Sequence, residues 1–192
     1  MSAKINKNKI NVDKDKFKIH HLNRLKKLRD VFNSSTKVKN GYVMDLGNNR
    51  VLFDIDDFSY NKDTECVFSE DLRDNLNNKF NCNSAACVIG TAGLIPEFRK
   101  AGLKTNILEN DVVFTPRNGY DNKVHSFNAF GEFFGCGGIT EDYIILPSSY
   151  YPRHDHDYPV PVPVPKKPTT QDVVARLNVL IQKGEEFLNQ RK

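Results

Sequence analysis

From Phe17 onward, Leu22, Leu25, Leu28, Val31 and Phe32 recur at three- and four-residue steps, which predicts an amphipathic helix ending near Asn33-Ser34-Ser35. The opposite face of that helix carries Arg24, Lys26, Lys27 and Arg29. Tyr42, Met44 and Leu46 then alternate with polar or smaller neighbours, Gly47-Asn48-Asn49 interrupts, and Val51, Phe53 and Ile55 resume the alternation. Period two on both sides of a turn signal predicts a β-hairpin. Ser69 to Leu76 reads as a short helix capped by Ser69. Cys82 to Gly93 is a run of small and apolar residues that reads as a further helix, capped by Asn83 or Ser84 and limited by Pro96. Ala86, Gly90 and Gly93 would share one face of it and admit a second backbone at close range.

Val112-Val113-Phe114 predicts a strand, and Asn118-Gly119 a two-residue turn leading back toward Val124. Phe127, Phe130 and Phe134 share a helical face that stops at the Gly135 to Gly138 cluster. Thr140-Glu141-Asp142 could cap one more short helix, Tyr143 to Leu146, before Pro147. The alternating prolines of residues 159–165 exclude helix and central strand and favour polyproline II, which at about 3.1 Å per residue gives a spacer of roughly 20 Å. Beyond it, Thr169 and Asp172 suit a capping box for an amphipathic helix with Val173, Leu177, Leu180, Ile181 and Leu188 on its apolar stripe.

These elements predict an α+β protein: a single compact, mainly helical domain with one or two β-hairpins. Its parts are a basic flexible arm (1–16), a globular core (17–151), a proline-rich linker (152–168) and a carboxy-terminal helix (169–192). That last helix must bury its stripe on its own body or on a partner.

At 192 residues the chain is long enough for one real core and short for two. Its net charge of +4 conceals an asymmetry. Residues 1–29 hold ten cations, Lys4, Lys7, Lys9, Lys14, Lys16, Lys18, Arg24, Lys26, Lys27 and Arg29, against Asp13 and Asp15, for a net +8. The rest carries 18 basic and 22 acidic groups, for a net −4. Cys66, Cys82, Cys87 and Cys136 are irregularly spaced in a chain too long for a disulfide-built domain, and read as reduced. No apolar run reaches signal-peptide or membrane-spanning length, so the expected location is the cytoplasm, with no membrane partner.

Phe53-Asp54-Ile55, the Cys82 to Gly90 segment with Cys87 at its centre, Phe133-Phe134-Gly135, and a carboxy-terminal helix introduced by Thr170 occur in that order. This arrangement resembles a family of small uncharacterised proteins of bacteria and their viruses. The family pattern runs Phe-Asp-Met, then Cys-Gly-Thr-x-x-Cys-x-x-Gly, then Phe-Phe-Gly; here Asn83-Ser84 stands in place of Gly-Thr. The resemblance implies a coherent fold and a phage or bacterial accessory or virion-associated role, and brings no established activity.

The candidate chemistry is set against plainer roles. Within one α-helix, Cys82 and Cys87 would lie roughly 8 to 9 Å apart, too far for a disulfide, and free cysteine packs mostly as a small hydrophobe. A nucleophile reading would place Cys82 just before a helix amino terminus, with His125 as base and Asp142 or Glu132 orienting it, and Cys87 as the other candidate nucleophile. No zinc spacing is present, and His154-Asp155-His156-Asp157 reads as a solvated lead-in to the prolines; no metal and no cofactor are expected. Pro165-Lys166-Lys167-Pro168 meets a minimal Pro-x-x-Pro pattern of the kind spacers carry. The ten amino-terminal cations would contact nucleic acid through phosphates alone, without sequence readout.

The expected function is therefore an interaction or assembly protein that binds a macromolecular partner, or further copies of itself, through its termini. A small cysteine-dependent hydrolase and a non-specific nucleic-acid binder are the alternatives.

Overall fold

The computed structural model describes residues 12–39, 41–46, 50–53, 60–61, 84–106, 111–116, 123–136 and 169–191. The expected helices at 69–76 and 143–146, the turn at 118–119, the histidine–aspartate run 154–157, and the proline segment with its Pro-x-x-Pro lie outside these residues.

Helix α1 (Ile19–Asn33) opens the body, with Leu22, Leu25, Leu28 and Phe32 buried. It is followed by β1 (Thr36–Val38), β2 (Gly41–Asp45) and β3 (Arg50–Phe53), an antiparallel meander in which Met44 lies opposite Val51. The hairpin read from alternation is thus present, extended by a third strand whose residues are all exposed. Strands β4 (Tyr60–Asn61) and β5 (Ser84–Ala86) complete a five-stranded sheet of order β1-β2-β3-β5-β4. In it β5 runs parallel to β3 and antiparallel to β4.

The sequence between Ser84 and Leu94 departs from expectation. Its first part is strand β5, Cys87 is the residue before the helix, and only Val88–Leu94 is helical (α2). Short runs of small residues carry no decisive periodicity, so the pairing offered by β3 and β4 determines the outcome. The close approach expected of the glycines is met by a strand: a Cβ on Gly93 would fall 2.1 Å from Thr105 Oγ1 and 2.7 Å from its backbone nitrogen. Thr105 Oγ1 donates to the Gly90 carbonyl at 2.7 Å.

Pro96 opens the next helix rather than closing the last: α3 (Pro96–Lys100) has it at the first helical turn, where its missing N–H costs nothing. Strands β6 (Leu103–Asn106), β7 (Asp111–Phe114) and β8 (Val124–His125) form a second, antiparallel sheet. Helix α4 (Ser126–Phe134) follows and packs on β7. Its Phe133 meets the rings of Phe98, Phe114 and Phe134 edge-on at centroid separations of 5.2, 5.3 and 5.0 Å. Each such pair adds about 0.5–1.5 kcal/mol beyond the area it buries.

Helix α5 (Thr170–Asn189) begins with the expected capping box: the Asp172 N–H donates to Thr169 Oγ1, and the Thr169 N–H to the Asp172 carboxylate. It lies along α1 in the most extensive helix–helix contact of the described residues. Val173, Leu177, Leu180 and Ile181 are buried in the common core, and Leu188 packs at its edge. The carboxy-terminal helix is therefore covered by this chain's own α1.

The other terminus also begins earlier than the expected boundary at residue 17. Val12 forms a β-bridge with Cys136, and the chain from there onward is part of the body. The whole is α+β, with more strand than one or two hairpins.

Candidate functional site

Three places hold the candidate residues: the face of α1, the strand–helix junction at His125, and the cysteines.

Lys4, Lys7 and Lys9 lie outside the described residues. The remaining cations divide sharply. Arg24 is drawn inward: its guanidinium stacks 3.9 Å over the Phe133 ring and donates to the Phe133 carbonyl at 2.7 Å. Lys26 pairs with Glu185 of α5 at 2.6 Å, and Lys27 with Glu97 of α3 at 3.2 Å. Arg29 pairs with its neighbour Asp30, and Lys16 with Glu132 of α4. Glu132 is thus held by a lysine and is not the partner of His125. The Lys16 hydrogen bond to Glu132, reinforced by their charges, raises the lysine pKa, and a backbone hydrogen bond together with Lys27 lowers that of Glu97.

Only Lys14 and Lys18 of these cations are exposed and form no ion pair among the described residues. The basic stripe of α1 is therefore largely occupied by this chain's own carboxylates, a consequence of acids far along the sequence that no local pattern reveals. Counted by position, residues 1–18 carry six lysines against two aspartates, so the whole net charge of +4 lies on this segment.

At the strand–helix junction the structure assembles a cluster that the sequence did not disclose. Asp111 starts β7 and faces the end of β8 across the sheet. Its Oδ2 lies 2.8 Å from His125 Nδ1; its Oδ1 accepts the Ser126 hydroxyl at 2.8 Å and the Ser126 N–H at 3.2 Å. The Val112 N–H also donates to Oδ1, at 2.7 Å. Burial pushes the Asp111 carboxyl up, but these donors and the His125 charge outweigh it and hold the group below the ordinary carboxylate range.

Ser126, the first residue of α4, has φ of +53°, a left-handed backbone that costs a non-glycine residue energy and that Asp111 stabilises by capping it. Aspartate, histidine and serine in contact invite comparison with a nucleophilic triad, but the connections differ. A triad needs the serine hydroxyl on the imidazole, whereas here it is given to the carboxylate. The cluster ties β7, β8 and α4 together.

Cys82 lies outside the described residues. Cys87 and Cys136 are buried, 2% and 3% exposed. Cys87 precedes a helix of only seven residues and is closed off from solvent, so it offers no accessible nucleophile. His125 is engaged with Asp111. No cluster of three or more metal-ligating side chains occurs among the described residues, and none of the described helices is long and apolar enough to cross a membrane.

A further feature lies at the amino-terminal end of α1. The Asp13 N–H donates to the Gly135 carbonyl at 2.9 Å, and the Phe17 N–H returns to the Asp13 carbonyl at 2.8 Å. The Phe17 side chain is buried beside Gly184 of α5, in edge contact with Phe187. His21 lies beneath this turn, buried, with Nδ1 accepting the Lys18 N–H at 3.1 Å and thereby capping α1. Its ring presses on Gly135, the left-handed residue (φ +65°) that ends α4. One sequence signal could have found His21: it precedes Leu25, Leu28 and Phe32 by four, seven and eleven residues, and so belongs to the buried stripe.

Comparison with protein-family models, with curated proteins and with solved structures finds no match to this chain.

Proposed function

We propose that this is a non-catalytic interaction protein of the bacterial or phage accessory kind, whose amino-terminal cationic segment contacts an acidic macromolecular partner. The observation that carries this reading is the partition of charge: the cations of α1 are spent on Glu97, Asp30, Glu185 and the Phe133 ring, while the excess charge resides before Ile19. A segment of net +4 attached to a body of zero net charge favours encounter with acidic surfaces and would make binding weaken with salt. The resemblance to small bacterial and phage proteins supports the setting. With the α5 stripe covered by α1, the contact is assigned to the amino-terminal segment alone.

The test is capture of binding partners from the native host with the full chain and with the Lys4→Gln/Lys7→Gln/Lys9→Gln variant, at low and high salt, with and without nuclease. The expected result is one specific protein, resistant to nuclease and lost in the triple variant and at high salt. Retention that vanishes on nuclease treatment favours the nucleic-acid alternative. Partners recovered equally by the triple variant refute the assignment to this segment.

A further inference from the structure

Residues 12–17, the described part of the cationic segment before Lys18, are joined to the body by contacts that, apart from the Lys16–Glu132 pair, converge on one titratable side chain. Val12 bridges Cys136, the Asp13 N–H holds the Gly135 carbonyl, and Phe17 inserts beside α5. His21 supports all three: its ring packs on Gly135, its centroid is 5.8 Å from that of Phe17, and its Nδ1 accepts the Lys18 N–H. An imidazole nitrogen accepts a hydrogen bond only while unprotonated. With a proton on Nδ1, two donors would face each other at the start of α1, and a cation would be buried beside Gly135.

The surrounding charges oppose that proton. Lys18 from the preceding turn, and His20 and Arg24 from α1, all disfavour it; the His20 ring is only 3.9 Å away, centroid to centroid. Asp13 is the one neighbouring carboxylate that favours it, and it is engaged with the N–H groups of Asp15 and Lys16. On the packed helices, Glu132 of α4 is paired with Lys16 and Glu185 of α5 with Lys26.

We infer that residues 12–17 form an acid-sensitive latch whose proton-binding element is His21: neutral His21 clips the cationic segment to the ends of α4 and α5, and its protonation releases it. As regulation of the partner-contact segment, this rests on the function proposed above; the latch itself is a property of the isolated protein. Burial, then the charges of His20, Arg24 and Lys18, lower the His21 pKa from 6.5 to about 4. The sign follows: above 6.5 neither state binds the proton, and the latch has its full strength. As pH falls toward 4 the open state gains protons that the closed state refuses, so opening grows by up to tenfold per pH unit. Between pH 7.5 and pH 5 the opening equilibrium should rise by up to about 30-fold, the ceiling set by a full return of His21 to 6.5 on opening.

The test is amide hydrogen exchange of the full chain without any partner, corrected for intrinsic exchange, at pH 7.5 and pH 5. The reporters are Asp13 and Phe17, whose amides close the latch, with the Leu28 amide as a reference in the middle of α1. Three chains are compared: the natural one, His21→Asn, which keeps a neutral acceptor near the Nδ1 position, and His20→Asn, which removes the neighbouring histidine. The expected result is a rise in opening of several-fold, up to about 30-fold, at Asp13 and Phe17 in the natural chain, retained in His20→Asn and abolished in His21→Asn, with Leu28 unchanged. A rise that persists in His21→Asn overturns the proposal. So does an equal rise at Leu28, which would be acid unfolding of the whole fold. A chain that keeps this response but captures no partner leaves the latch standing and removes only its proposed use.

Discussion

Gly135 is the position where backbone and packing demands can be separated by substitution. Its φ of +65° costs an alanine about 1–2 kcal/mol. An added Cβ would also fall 2.4 Å from His21 Nδ1 and 2.7 Å from Cγ of the same ring, well inside contact. The ring is buried and its Nδ1 is fixed by the Lys18 N–H, so it yields only by giving up the cap on α1; overpacking of this kind costs about 1–3 kcal/mol. Gly135→Ala should therefore lose about 2–5 kcal/mol, a large part of the 5–15 kcal/mol typical of a folded domain. Gly135→Asn tolerates the left-handed backbone better than alanine but keeps the collision. Urea denaturation of Gly135→Ala, His21→Ala and the double variant isolates the steric share: the double variant should be more stable than the sum of the singles by about 1–3 kcal/mol. Strict additivity, or a loss below about 1 kcal/mol for Gly135→Ala, would refute this account of the α4 terminus.

Three further outcomes are expected. Thr91 is fully buried in α2 and its hydroxyl has no hydrogen-bond partner among the described residues, so Thr91→Val should stabilise by about 1 kcal/mol in the same denaturation assay. Asp111→Asn removes the charged acceptor at the start of α4 and should cost about 1–2 kcal/mol at pH 7. Because the carboxyl lies below its ordinary value when folded, its contribution is present above about 3.8 and is lost as pH falls below that, so the difference between the two chains should shrink in acid denaturation. Leu177→Ala and Leu180→Ala, both fully buried, should each cost about 2–5 kcal/mol, and deleting residues 169–191 should abolish the cooperative transition instead of leaving a folded body.

Local chemistry was legible and long-range pairing was not. The Thr169–Asp172 cap, the stripes of α1 and α5, and the β2–β3 alternation are each encoded within a few residues, and each is present. Strand β5 carries no local strand signal because the partners that make it a strand, Leu52–Phe53 and Tyr60–Asn61, lie more than 20 residues earlier. The cationic face of α1 offers no local sign of its partners because Glu97 and Glu185, which pair with Lys27 and Lys26, are 70 or more positions away. Asp111 gives no local signal at all; its role exists only because β8 returns beside β7.

The packing of α5 on α1 sets an order of events during synthesis. Helix α1 emerges early with an uncovered greasy stripe, and its cover is translated after most of the intervening chain. At 5–20 residues per second that interval is on the order of ten seconds. Throughout it the nascent polypeptide displays a sticky, basic helix to ribosomal surfaces and chaperones, so that stripe is shielded only once α5 has emerged and docked.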